Sequence, residues 1–153
     1  MELMQWSGTF IIETKDKNTS KVKTEVIHNK VMNTVLDQLA KTLKGENPDL
    51  EIKYLALGTS NTPISLTDTK LGNEIFRTPI VSQIVTGTGE ITTDFTILET
   101  EAIGNIEEIG IFGGSTATIE ADTGTLISRV LWSKVKTASE EFTIRRVDKV
   151  GRG

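Results

Sequence analysis

This sequence predicts a mainly β (α+β) chain: an antiparallel β-sandwich or barrel-like domain with an N-terminal hairpin and one packed amphipathic helix. Three observations carry that expectation. β-branched residues dominate, with 23 Thr, 17 Ile and 10 Val among 153 residues, and their restricted χ1 suits a pleated sheet better than a helix. Apolar and polar residues alternate in short runs along most of the chain. Gly, Asn and Asp turn signals separate those runs at short spacing, as in sandwiches and barrels.

The N-terminal hairpin comes first. Trp6 to Thr14 alternates, with Phe10 and Ile12 on one face and Thr9, Ile11 and Glu13 on the other. A polar turn, Lys15 to Ser20, leads into Lys21–Ile27, where Val22, Thr24 and Val26 share a face. Period-two patterning on both sides of a polar turn signals a strand pair. Asn29 then offers an N-cap oxygen for a helix over Asn29–Lys44. Val31, Met32, Val35, Leu36, Leu39 and Leu43 recur at helical spacing, with Lys30, Asn33, Asp37, Lys41 and Lys44 opposite. Gly45 supplies the left-handed C-terminal residue, and Pro48 lies beyond it.

The remainder reads as sheet, with strands expected at Ile52–Leu57, Thr78–Val85, Glu90–Leu98, Ile106–Phe112, Thr125–Val135 and Glu140–Val147. Thr86–Gly89 reads as a tight hairpin turn and Asp122–Gly124 as another. Gly110, Gly113 and Gly114 suggest a bulge or a close backbone approach. No repeat and no linker divides the sequence, so a single domain over residues 1–153 is expected.

Composition excludes several function classes. With no cysteine, neither a disulfide framework nor a thiolate metal site can form. A formal net charge of −4 disfavours binding to a phosphate backbone, so no nucleic-acid partner is expected. The one basic stretch, Arg145, Arg146, Lys149 and Arg152, reads as a solvated terminal strand and tail. Met1–Trp6 lacks the basic and apolar regions of a signal peptide, and no apolar run is long enough to span a bilayer, so no membrane partner is expected. Only eight aromatic residues are present (2 Trp, 1 Tyr, 5 Phe). A sugar-binding platform would have to use Trp6 or Trp132, and Trp132 shares a strand face with Leu126 and Val130, which places it in the core.

Catalytic groups are scarce. The single histidine, His28, has no neighbouring nucleophile or ligand pair and reads as a packing or capping residue. Gly87–Glu90 resembles part of a phosphate loop but lacks a Lys and a following helix. Glu99, Glu101, Glu107 and Glu108 could offer hard oxygens to Ca²⁺, yet their spacing matches no EF-hand, and a solvated acidic edge is the expectation. The sequon Asn18-Thr19-Ser20 has meaning only in a secreted chain. No catalytic residue, cofactor or metal site is therefore expected.

The segment Tyr54–Arg77 carries the most information. A short apolar strand ends at Gly58, and a Thr/Ser/Asn/Pro stretch follows with Ile64, Leu66, Leu71, Ile75 and Phe76 as expected packing anchors. A long, ordered loop without reactive groups suits assembly better than catalysis. Its contact candidates are Ser60, Asn61, Thr62, Pro63, Asp68, Asn73 and Arg77.

Five motifs occur in a definite order: Val26–Asn29 leading to the helix; Ala56-Leu57-Gly58-Thr59; Leu71-Gly72-Asn73-Glu74 with Phe76-Arg77; Glu108-Ile109-Gly110-Ile111-Phe112; and Leu126-Ile127-Ser128-Arg129-Val130. A final strand pair contains Lys136-Thr137 and Glu140. In that order they resemble a family of small tail-associated virion proteins of bacteriophages and prophages, tail-fibre or baseplate-related, over about Trp6 to Val147. The resemblance implies a non-enzymatic structural protein of the virion, made in the bacterial host cytoplasm. Its partners would be other virion proteins and further copies of itself, with a trimer favoured. A capsid decoration protein and a receptor- or glycan-binding module are the alternatives. Asp148–Gly153 continue past the last strand of the pattern.

Overall fold

The computed structural model describes residues 4–46 and 49–152. The chain is mainly β, with nine strands and one helix among the described residues. The strands form two antiparallel sheets and the chain divides into two compact units.

The first unit comprises residues up to Lys30, Ile80–Gly104, and Lys136 onward. Its five strands are β1 (Met4–Asp16), β2 (Val22–Lys30), β5 (Ser82–Gly87), β6 (Glu90–Ile97) and β9 (Glu140–Arg152), in the order β2-β1-β9-β6-β5. The hairpin expected from the alternation is β1–β2, paired from Ser7↔Lys30 to Lys15↔Val22. β1 and β9 pair without a break from Met4↔Arg152 to Asp16↔Glu140. By that register Phe10, Ile12, Ile144, Phe142, Phe95 and Ile97 share one face, and all six are fully buried. Val22 and Val26 lie on the other face and are exposed. The Thr88-Gly89 turn between β5 and β6 places Gly89 at φ +68°, as the hairpin signal required.

The second unit comprises Val31–Pro79 and Asn105–Val135. It holds α1 (Asn33–Leu43) and β3 (Ile52–Gly58), β4 (Glu74–Pro79), β7 (Gly104–Gly113) and β8 (Thr125–Lys136), in the sheet order β4-β3-β7-β8. Met32, Ala56, Leu71, Phe112 and Leu126 form a buried cluster with Tyr54 against it. Leu55, Leu57, Ile109 and Ile111 are buried as well, so the central strands read as near-continuous apolar runs. Trp132 is buried, as its strand face suggested. The glycines of β7 have the expected use. A side chain at Gly110 would meet Leu71, one at Gly113 would run into the Glu51 carbonyl, and the ladder shifts register between Ile52 and Tyr54.

The structure corrects several expectations. Asn29 does not cap the helix: it lies in β2, and α1 starts after Met32 with no side-chain cap. Two backbone bonds take the place of a cap, Met32 N–H to Ile127 O at 2.9 Å and Asn33 N–H to Leu66 O at 3.0 Å. The helix end does follow its signal. Gly45 sits at φ +96°, with Gly45 N–H on Thr42 O and Glu46 N–H on Lys41 O, a Schellman arrangement. Pro48 lies outside the described residues. Of the expected buried helix face, Val31 and Val35 are buried, Leu39 is half-buried and Leu43 is 81% exposed.

Thr78–Val85 is not one strand. β4 ends at Pro79, which has no N–H to carry a ladder on, and β5 begins at Ser82 in the other sheet. The terminal strand runs on to Arg152 where a tail was expected, because β1 provides partners as far as Met4. Arg146 is fully buried, so the basic end is not a wholly solvated strand.

Candidate functional site

The segment between β3 and β4 is closed at its base. Thr59 N–H donates to Asn73 O at 3.0 Å, and Asn73 Nδ2 donates to Thr59 Oγ1 at 2.6 Å. Ends this close, joined by a compact path, define an Ω-type loop. Within it, Ser60 Oγ accepts from Thr62 N–H and Ser65 Oγ from Thr67 N–H, while Asp68 Oδ2 accepts from Ser65 N–H at 3.0 Å. These short side-chain-to-backbone bonds replace a regular ladder.

The loop is held from beneath by a buried ion pair. Glu108 on β7 is fully buried, which corrects the expectation of a solvated acidic edge at this position. Its Oε2 accepts from Ser60 N–H at 2.8 Å and Asn73 N–H at 3.0 Å. Its Oε1 accepts from Gly72 N–H at 2.8 Å and from Arg129 Nε of β8 at 2.8 Å. Arg129 reaches on to Asp68 Oδ2 and Ser60 O, each at 3.4 Å. A buried carboxylate is costly unless its charge and lone pairs are met, and here both oxygens are. Burial pushes the Glu108 carboxyl up, but Arg129 and the three backbone N–H groups outweigh it and hold it below the usual glutamate range.

Two glycines make room for this carboxylate. Gly58 is the ladder partner of Glu108, and a Cβ there would stand 2.5 Å from Glu108 Oε2 and 2.6 Å from Asn73 O. A Cβ at Gly72 would collide with Ser60. The motifs Ala56–Thr59, Leu71–Glu74, Glu108–Phe112 and Leu126–Val130 therefore converge on one place. Their polar members build the clamp, and their apolar members Ala56, Leu71, Phe112 and Leu126 build the core beside it.

Arg77 makes a second internal tie. Its Nε and Nη2 donate to the two Glu74 oxygens at 2.8 and 2.9 Å, and Nη1 donates to Thr118 O at 2.9 Å and Thr123 O at 2.8 Å. The guanidinium stands 4.2 Å from the Phe112 ring centre and 5.5 Å from that of Tyr54. An open hollow of about 150 Å³ lies alongside, lined by Glu74, Ile75, Phe76, Arg77, Ile119 and Ala121.

The seven contact candidates thus separate. Asn61, Thr62 and Pro63 are exposed at the loop tip. Ser60, Asp68 and Asn73 are engaged in holding the loop closed, and the Arg77 side chain is buried. Among the expected anchors only Leu71 is buried; Ile64, Leu66 and Ile75 are exposed, and Phe76 is half-buried. Sequence reasoning missed Glu108 and Arg129 as a pair. The available signal was charge inside two apolar runs, Glu107 and Glu108 within Ile106–Phe112 and Arg129 within Leu126–Trp132.

Among the described residues, no group of three or more His, Asp or Glu side chains converges as a metal site. His28 lies in β2 and exchanges a 3.1 Å hydrogen bond with Thr9 Oγ1. No family model, curated protein or solved structure matches the chain.

Proposed function

We propose that this chain is a non-enzymatic structural protein of a bacteriophage virion, a tail or baseplate component that helps attach fibres or receptor-binding proteins. The carrying observation is the Thr59–Asn73 loop: its base is fixed by the buried Glu108–Arg129 pair, while Asn61–Thr67 stand exposed. A rigid projecting loop loses little conformational freedom on docking, which favours stable assembly. The residues around it carry hydrogen-bonding and apolar groups but no nucleophile–base pair.

In this reading the loop tip contacts neighbouring virion proteins, and copies of the chain act together as a homo-oligomer. Trp6 and Trp132 do not support the glycan-binding alternative. Trp132 is buried, and the Trp6 indole donates to Asp148 Oδ1 at 3.2 Å.

Particle assembly provides the test. Replacing Asn61–Ile64 by a Gly/Ser stretch leaves the clamp residues in place. The reading expects a folded protein with impaired incorporation into particles. It also expects density for the wild-type chain in the tail or baseplate. Normal incorporation of the variant, or density on the capsid, would overturn it.

A further inference from the structure

The five-stranded sheet ends at β5, an edge strand without charge and without proline. An edge strand presents a row of main-chain N–H and C=O groups that can template another strand. Proteins manage such edges with charge, proline or bulges. The other edges of the two sheets follow this practice. β2 carries Lys23, Glu25 and Lys30; β4 carries Glu74 and Arg77 and stops at Pro79; β8 carries Arg129, Lys134 and Lys136.

β5 differs in charge and proline, and its one irregularity is a register shift against β6 between Val85 and Gly87, next to the hairpin turn. No charged residue occurs from Thr78 to Gly89, and no proline lies within the strand. All six of its residues are exposed. Val81 just before it is 67% exposed, Ile84 63% and Val85 76%. Its polar side chains turn back to its own neighbour: Gln83 donates to Thr93 Oγ1, Ser82 to Asp94 Oδ2, and Thr86 to Glu90 Oε1. What remains outward is main chain and β-branched side chains.

We propose that β5 pairs antiparallel, across a two-fold axis, with the β5 of a second copy of this chain. The absence of charge selects that occupant. Two-fold pairing sets a strand against itself, so a charge near the axis would face its own copy, and like charges directly opposite destabilise a sheet. β5 brings none. It sets β-branched residues against β-branched residues, a favourable cross-strand combination, and its six residues are matched in length by construction. The surface shares no residue with the clamped loop, and the inference does not depend on a place in a virion.

Sedimentation and cysteine cross-linking test it. The wild-type chain should sediment at twice the 16.8 kDa of one copy and dissociate on dilution. Ile84→Lys and Val85→Lys place like charges near the axis and should weaken self-association at least tenfold, with an unchanged circular dichroism spectrum. The sequence has no cysteine, so an introduced one is the sole thiol. Oxidised Ile84→Cys or Val85→Cys should form a disulfide-linked dimer well before Val26→Cys, an exposed control on β2. A wild-type chain that stays monomeric at high concentration, or binds only a protein of different sequence, would overturn the proposal. So would an oligomer that both lysine variants leave intact, or cysteines at 84 and 85 that cross-link no faster than the control. The cross-linking arm decides the matter even if a lysine variant fails to fold.

Discussion

Arg129–Glu108 in the second unit and Arg146–Asp148 in the first are both buried Arg–carboxylate pairs, and they use the same chemistry to different ends. In the second unit Glu108 spends both oxygens, on Arg129 and on three backbone N–H groups of the loop. In the first unit Asp148 spends only Oδ1, which accepts from Arg146 Nε at 3.1 Å, Arg146 Nη2 at 3.0 Å and Trp6 Nε1 at 3.2 Å. Its Oδ2 is buried without a partner. Arg146 completes its own coordination with Asn29 Oδ1 at 2.7 Å and the Phe10 ring, 4.6 Å away. One pair therefore fixes main chain that has no ladder of its own. The other joins side chains on strands already held by their ladders. Loop order depends on the first pair, whereas the second adds only local stability.

The largest expected effect comes from Glu108→Gln. An amide NH₂ in place of one oxygen would face an N–H donor, and buried Arg129 would keep only Asp68, at 3.4 Å, as a counter-charge. We expect a loss of about 3–5 kcal/mol in urea denaturation, the range for breaking a buried pair. A loss below about 1 kcal/mol would show that the clamp is not a principal contributor.

Acid should erode the same term. The folded Glu108 carboxyl lies below its ordinary value, so its contribution is complete above about pH 4.3 and is lost as pH falls through the lowered folded value. The stability gap between wild type and Glu108→Gln should therefore shrink on acidification. A gap that widens toward low pH would contradict the assignment.

Asp148→Asn sharpens the contrast. The asparagine keeps an acceptor for Arg146 and Trp6, and its NH₂ takes the place of the oxygen that lacks a partner. A cost of about 1–2 kcal/mol is expected, the scale of a weakened hydrogen bond to a charged group. A cost equal to that of Glu108→Gln would dissolve the distinction between the two pairs. The smallest effect belongs to Leu43→Ala at the exposed helix end, within about 0.5 kcal/mol of wild type. A loss of several kcal/mol there would mean that α1 is covered in solution.

Fold class was legible because period-two alternation survives in most strands, and hairpin turns such as Thr88-Gly89 announce themselves by residue type. Boundaries failed where long-range pairing overrode local signals. Asn29 has a good capping side chain, yet pairing with Gly8 and the bond from Arg146 keep it in a strand. Leu43 keeps helical spacing beyond the buried part of the helix. At the candidate site the loop was visible as a segment and its support was not. Glu108 and Arg129 are 21 residues apart, and only the adjacency of β7 and β8 brings them together. Gly58 reads in the sequence as the end of a strand and Gly72 as part of the motif that closes the loop, but their function is to leave space for Glu108 and Ser60.

Amide hydrogen exchange at Ser60, Gly72 and Asn73 tests the central claim most directly, since these three N–H groups have the Glu108 carboxylate as their acceptor. At neutral pH they should be protected far beyond the exposed tip residues Asn61 and Ile64. In Glu108→Gln that protection should collapse while the amides of β3 and β7 remain slow. Rapid exchange of all three in the wild-type chain would contradict the account.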